Sequence, residues 1–132
     1  MIVLDTHALI WWVNGDKRLS KLAHSAIGSE TKNEGLILVS SITTWEIALL
    51  VEKKRLFLTM DIDDWLRTVA EIECVKFVPV DNDIAIHSVR LPGEFHPDPA
   101  DRIITALARQ HSVPLITSDS KIRNYQHVKT IW

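Results

Sequence analysis

At 132 residues the chain suits a single domain, 1–132, built on one core. Apolar side chains make up 46% and charged ones 24%, the usage of an ordinary globular protein. A net charge of −2 excludes a polycation built to coat nucleic acid, although local basic patches and bound cations can still draw a phosphate substrate.

No apolar run approaches the length of a membrane span, and Met1-Ile2-Val3-Leu4-Asp5 carries no basic leader region. Cys74 is the only cysteine, so no internal disulfide can form. This fits a reducing, cytoplasmic setting, with Cys74 as a buried thiol at a strand start.

Ile2–Leu4 reads as a short buried strand. A helix follows with Ala8, Leu9, Trp11 and Trp12, capped by Thr6 or Asp5, and Asn14-Gly15-Asp16 breaks it. Ser20 caps a second helix whose apolar face holds Leu22, Ala23, Ala26 and Ile27. Leu36–Val39 is the second strand. Thr43 and Glu46 have the spacing of a capping box, and Ile47, Ala48, Leu50 and Val51 continue that helix. Lys53, Lys54 and Arg55 stand near its C-terminus, where the helix dipole favours cations.

Asp61 or Asp63 opens a helix with Trp65, Leu66, Val69 and Ile72. Val75–Val80 is the third strand, and Pro79 marks an edge or an end. A helix runs from about Asn82 to Arg90, followed by a loop to Pro97. Asp98 caps the next helix, with Pro99 at its first position and an apolar run of Ile103, Ile104, Ala106, Leu107 and Ala108. Val113–Thr117 is the fourth strand. A short helix from Asp119 and a strand near Val128–Ile131 complete the chain. Short apolar strands alternating with helices predict an α/β fold: a central, mostly parallel sheet flanked by helices.

Four acids fall where a strand-like run meets a helix start: Asp5, Glu46, Asp101 and Asp119. The carboxyl ends of strands in an open α/β sheet line one crevice, where ligands bind. Carboxylates gathered there repel each other without a cation, which points to a divalent metal and to phosphate chemistry. Each acid taken alone is also a good helix cap. Capping does not explain why all four share one rim, nor the polar groups Thr6, His7, Asp98, Thr117 and Ser118 beside them.

Four stretches then carry a resemblance: Val3-Leu4-Asp5-Thr6-His7, Ser40-Ser41-Ile42-Thr43-Thr44-Trp45-Glu46-Ile47, His96-Pro97-Asp98-Pro99-Ala100-Asp101-Arg102 and Leu115-Ile116-Thr117-Ser118-Asp119. In order and spacing they resemble the PIN-domain family, and more closely the VapC-type ribonuclease toxins of type II toxin–antitoxin pairs. The resemblance covers nearly the whole chain. It implies a PIN-like three-layer domain and a metal-dependent endoribonuclease. It implies catalytic and metal-site roles for Asp5, Glu46, Asp101 and Asp119 around one or two Mg²⁺ or Mn²⁺ ions. Direct contact is expected from Asp5 and from Asp101 or Asp119, with Glu46 ligating through water or orienting the nucleophile. It also implies a homodimer, a VapB-like antitoxin that blocks the acidic pocket, and higher toxin–antitoxin assemblies.

Supporting roles are expected of Thr6, Thr117 and Ser118, which can hydrogen-bond the carboxylates, and of Asp98. Arg102 is expected to pair with an acid or touch RNA phosphate. Lys53, Lys54 and Arg55 are candidate phosphate contacts, as are Lys17, Arg18, Lys21, Lys121 and Arg123. The five tryptophans invite a base-stacking reading, but their apolar spacing favours core or interface packing. Trp11 and Trp12 cannot both face inward, so one is expected at an interface. Two alternatives stay open. One is a receiver-like or other metal–phosphate domain, with Asp81 as phosphoacceptor. The other is an inactive binding module on the same fold.

Overall fold

The computed structural model describes residues 1–132. Its five strands are short: β1 (Ile2–Leu4), β2 (Ile37–Ser40), β3 (Val75–Val78), β4 (Leu115–Ile116) and β5 (Thr130–Ile131). They pair in the order β3-β2-β1-β4-β5, and every pair is parallel. The sheet is therefore wholly parallel, where a mostly parallel one was expected. β4 and β5 are shorter than the apolar runs that predict them: Val113, Pro114, Thr117, Val128 and Lys129 lie beyond the strand ends, although the Pro114 and Lys129 carbonyls still accept from Val3 and Leu115.

β1 lies at the centre, and its side chains alternate between the two faces of the sheet. Ile2 and Leu4 join one cluster with Leu9, Ile27, Ile47, Trp65 and Val69. Val3 joins the other with Leu38, Ile84, Ile104, Leu107 and Ile122. The first cluster packs α1 (Thr6–Val13), α2 (Lys21–Lys32), α3 (Ser41–Glu52) and α4 (Ile62–Ala70) on one face. The second packs α5 (Asn82–Val89), α6 (Pro99–His111) and α7 (Ser120–Arg123) on the other. Three layers result, helix–sheet–helix, as expected. Burying strands on both faces is what a parallel sheet with near-continuous apolar strands requires.

The helix starts correct several local readings. Asp5, not Thr6, caps α1, accepting the Ala8 N–H at 2.8 Å. α3 begins earlier than Thr43: Ser40 ends β2 and also caps α3, accepting the Ile42 N–H at 3.2 Å. Thr43 and Glu46 are thus one helical turn apart inside α3 and form no capping box. Leu22 leaves its expected apolar face and is exposed, while Ala23 and Ile27 are buried. Trp11 and Trp12 are both half-buried against the first cluster, so neither is free of the core. Cys74 is buried at the entry to β3.

The connections leave β1 toward β2 and β3, and later return to β4 and β5 on its other side. Between β1 and β4 the strand order reverses. That is the position where an open parallel sheet opens a crevice at its carboxyl edge.

Candidate active site

Asp5 stands directly after β1 and Asp119 three residues after the last residue of β4, so both flank this reversal. Glu46 enters from α3, which leaves β2 without a loop. Asp101 enters from the first turn of α6, which packs beside α5 on the other face. Four elements from both helical layers therefore bring the four predicted acids to one rim.

Their mutual influence on ionisation attests to the proximity. Burial pushes the Asp5 carboxyl up to about 6, and the nearby Asp101 charge adds to the rise. The Thr117 hydroxyl and the Ala8 N–H act in the opposite direction. Burial also raises Glu46, helped by Asp101, Asp98 and Asp5. Asp101 is raised by burial and then by Asp98 and Asp119. Desolvation and like charges both disfavour ionised carboxylates, so this rim is electrostatically uncomfortable without a cation.

Each acid is held by an identifiable partner. The Thr6 hydroxyl donates to Glu46 Oε1 and lies 3.1 Å from the Thr43 hydroxyl. Thr6 and Thr43 are both buried, so this small network fixes Glu46 from beneath. Asp119 caps α7, its Oδ1 accepting the N–H groups of Lys121 at 2.8 Å and Ile122 at 3.1 Å. The Asp119 N–H in turn donates to the wholly buried Thr117 Oγ1 at 3.1 Å. Thr117 thereby touches Asp119, and its hydroxyl also draws the Asp5 carboxyl downward. Asp98 caps α6, accepting the Asp101 N–H at 3.0 Å, and lies on the exposed side of the rim. Ser118 is half-buried between Thr117 and Asp119.

The loop before α6 supplies His96, which flanks Asp101 in sequence, as a partner for that acid. His96 Nε2 lies 2.6 Å from Asp101 Oδ2. Its ring stacks on Phe95, with centroids 4.4 Å apart. Arg102 holds that loop. It donates through Nε to the Ser88 carbonyl at 2.8 Å, and through Nη1 to the carbonyls of Phe95 at 2.9 Å and His96 at 3.2 Å. Its hydrogen-bond partners are backbone carbonyls, not one of the acids.

The expected cations divide. Lys53 and Arg55 line a groove between α3 and α6 that also holds Glu46 and Asp98; Lys54 does not line it. Arg18 pairs with Asp16 at 2.8 Å. Trp45 lies outside the core, 58% exposed on the wall of the same groove. Asp81 caps α5, accepting the Ile84 N–H at 2.9 Å, beyond the edge strand β3 and away from the reversal. That placement removes the reading of Asp81 as a phosphoacceptor in a central pocket.

No three His, Cys, Asp or Glu side chains converge closely enough to hold a metal on protein donors alone. At most two could touch one ion in this geometry, and water would complete its shell. An all-carboxylate donor set with a largely hydrated ion fits Mg²⁺, or the similarly hard Mn²⁺, better than zinc.

Comparison with known proteins agrees with this architecture. The family model for the PIN domain matches residues 2–128. Ribonuclease VapC22 of Mycobacterium tuberculosis is 36% identical over 133 residues, covering 99% of this chain and 98% of that relative. A toxin–antitoxin complex from Klebsiella pneumoniae contains a chain with a TM-score of 0.67 and 25% identity, covering 97% of this chain and 95% of that one. VapBC2 from Rickettsia felis, bound to a DNA fragment from its promoter, gives a TM-score of 0.71 at 16% identity, covering 98% and 97%; it speaks to the fold alone. With the fold, the rim of acids and these matches in agreement, the chain belongs to the PIN-domain family.

Proposed function

We propose that this protein is a metal-dependent endoribonuclease and the toxin of a VapBC-type pair. The observation that carries the reading is the meeting of Asp5, Glu46, Asp101 and Asp119 at the strand-order reversal, in a chain 36% identical to a protein named Ribonuclease VapC22. Mg²⁺ or Mn²⁺ is the cofactor. When bound, it lowers the pKa of a coordinated water and offsets charge on the scissile phosphate and leaving oxygen.

The chain's own residues do the rest. Asp5, buried at the end of β1, would hold the ion through its carboxylate. Asp101 or Asp119 would be the second residue to hold it, and the other would be placed to hydrogen-bond water on the ion. Glu46 is raised in basicity and held by Thr6, so it can orient the attacking water and take its proton. His96 keeps the Asp101 carboxylate aimed, as partners of metal ligands do, and Thr117 fixes the backbone of Asp119.

The relatives with solved structures are toxin–antitoxin complexes. A VapB-like antitoxin is accordingly the expected protein partner, placing a basic side chain over the acids. The active form is a homodimer that enters larger toxin–antitoxin assemblies, and it works on RNA in the cytoplasm. No helix is long and apolar enough to cross a membrane.

The test is cleavage of a total-RNA pool by folded protein freed of antitoxin. Discrete fragments with Mg²⁺ or Mn²⁺, absent with EDTA, are expected. Intact RNA in every condition would favour an inactive binding module.

A further inference from the structure

We infer that the groove between α3 and α6 is a lane for single-stranded RNA, with Trp45 as a platform on which one base stacks beside the catalytic acids. The inference rests on the endoribonuclease reading and deepens it.

Trp45 is the only one of the five tryptophans that is exposed; Trp65 is buried and Trp11, Trp12 and Trp132 are half-buried. A large ring left 58% exposed on a helix has a packing cost that the core does not offset. The ring precedes Glu46 in sequence and shares the groove with it. Ile42 and Leu49, one turn away on either side, form an apolar bed around it. Acids and cations occupy the same groove: Glu46 and Asp98, with Lys53 and Arg55 about two helical turns further along the chain. Lys53 and Arg55 are exposed and join no ion pair.

This order of groups suits a single strand. Metal-bound acids would receive the scissile phosphate, the indole a neighbouring base, and the two free cations a phosphate further along. Stacking on an aromatic face serves any base, while cations track the backbone. A duplex would not fit the arrangement, because its bases are already stacked on each other. An acidic peptide would meet Glu46 and Asp98 without compensation, whereas RNA reaches them through the cation.

The test uses the full chain carrying Glu46→Gln, which removes the proton acceptor for the attacking water and leaves the metal-holding acids in place, and a fluorescent mixed-sequence 12-nucleotide RNA with Mg²⁺. In that background Trp45→Ala should weaken binding about tenfold, and Trp45→Phe should keep most of it. Lys53→Gln and Arg55→Gln should each lower the slope of log affinity against log salt by about one. The same RNA annealed to its complement should bind less tightly and ignore the Trp45 change. With Glu46 intact, Trp45→Ala should raise KM with kcat little changed. Because Trp45 is exposed, these variants should fold, and circular dichroism verifies it. Equal RNA binding with and without the Trp45→Ala change would overturn the lane. So would a Trp45→Ala effect confined to the hold of a co-expressed antitoxin, which would make the groove a protein-docking surface. Wild-type protein that cuts RNA while Trp45→Ala changes nothing refutes the lane alone. Wild-type protein that cuts no RNA refutes the enzyme and the lane with it.

Discussion

His96 Nε2 stands 2.6 Å from Asp101 Oδ2, and this contact ties the loop before α6 to the rim of acids. The ring comes from the loop, and the acid from the first turn of α6. Removing the ring by His96→Ala should lower cleavage about 10- to 100-fold and weaken Mn²⁺ binding, the usual cost of losing a partner behind a metal ligand. His96→Gln, which keeps a hydrogen-bond donor, should recover part of both. Kinetics at several Mn²⁺ concentrations would check this, with an unchanged apparent Mn²⁺ affinity as the contrary result.

Asp5 ties stability to pH. Its folded-state pKa of about 6 lies above the ordinary 3.8, so between those values the folded protein keeps a proton that the unfolded chain has lost. Metal-free stability contributed by this group is therefore present at acid pH and falls as pH rises through about 4 to 6, by on the order of 3 kcal/mol. The raised Glu46 and Asp101 act in the same direction. In EDTA, Asp5→Asn should be more stable than wild type at pH 7, with a flatter profile. Divalent cation should reverse the order, because it competes with the proton. Urea unfolding at pH 4.5 and 7 measures both.

Arg102 should behave as a structural tie. Its guanidinium serves carbonyls of Ser88, Phe95 and His96 and lies over the Phe95 ring at 5.6 Å. Arg102→Met should cost about 1–3 kcal/mol through carbonyls left without donors. Arg102→Lys should not restore it, since one ammonium cannot span those carbonyls. The salt dependence of RNA binding should stay unchanged in a folded variant, where a lost phosphate contact would reduce it.

Thr105 is wholly buried on α6, and its hydroxyl has no hydrogen-bond partner. Thr105→Val keeps the shape and removes that orphan group. It should raise stability by about 1 kcal/mol with cleavage unaltered, read as a higher Tm.

The layer architecture was legible because β1 and β2 are nearly continuous apolar runs and the helices carry strong caps such as Ser20, Asp61 and Asp98. Strand ends were less legible, since Val80 and Val128 look as β-prone as residues inside the ladder. The acids could be picked out by their place at strand-to-helix junctions, although capping explains part of that pattern: Asp5 and Asp119 do cap helices. Glu46 was misassigned locally for a related reason. Thr43 and Glu46 have capping-box spacing, but Ser40 starts the helix one turn sooner. The same spacing, read inside a helix, could have flagged Thr43 as a neighbour of Glu46. The hold of His96 on Asp101 depends on the path of an irregular loop, which residue spacing does not encode. The exposure of Trp45 depends on which side of α3 the sheet covers.

The most direct measurement is single-turnover cleavage of one RNA fragment at saturating Mn²⁺ by wild type and by Asp5→Asn, both shown to be folded. If Asp5 anchors the cation that drives the chemistry, the variant should lose at least about 100-fold in rate. An Asp5→Asn protein that cleaves as fast as wild type would contradict the account, whatever the fold.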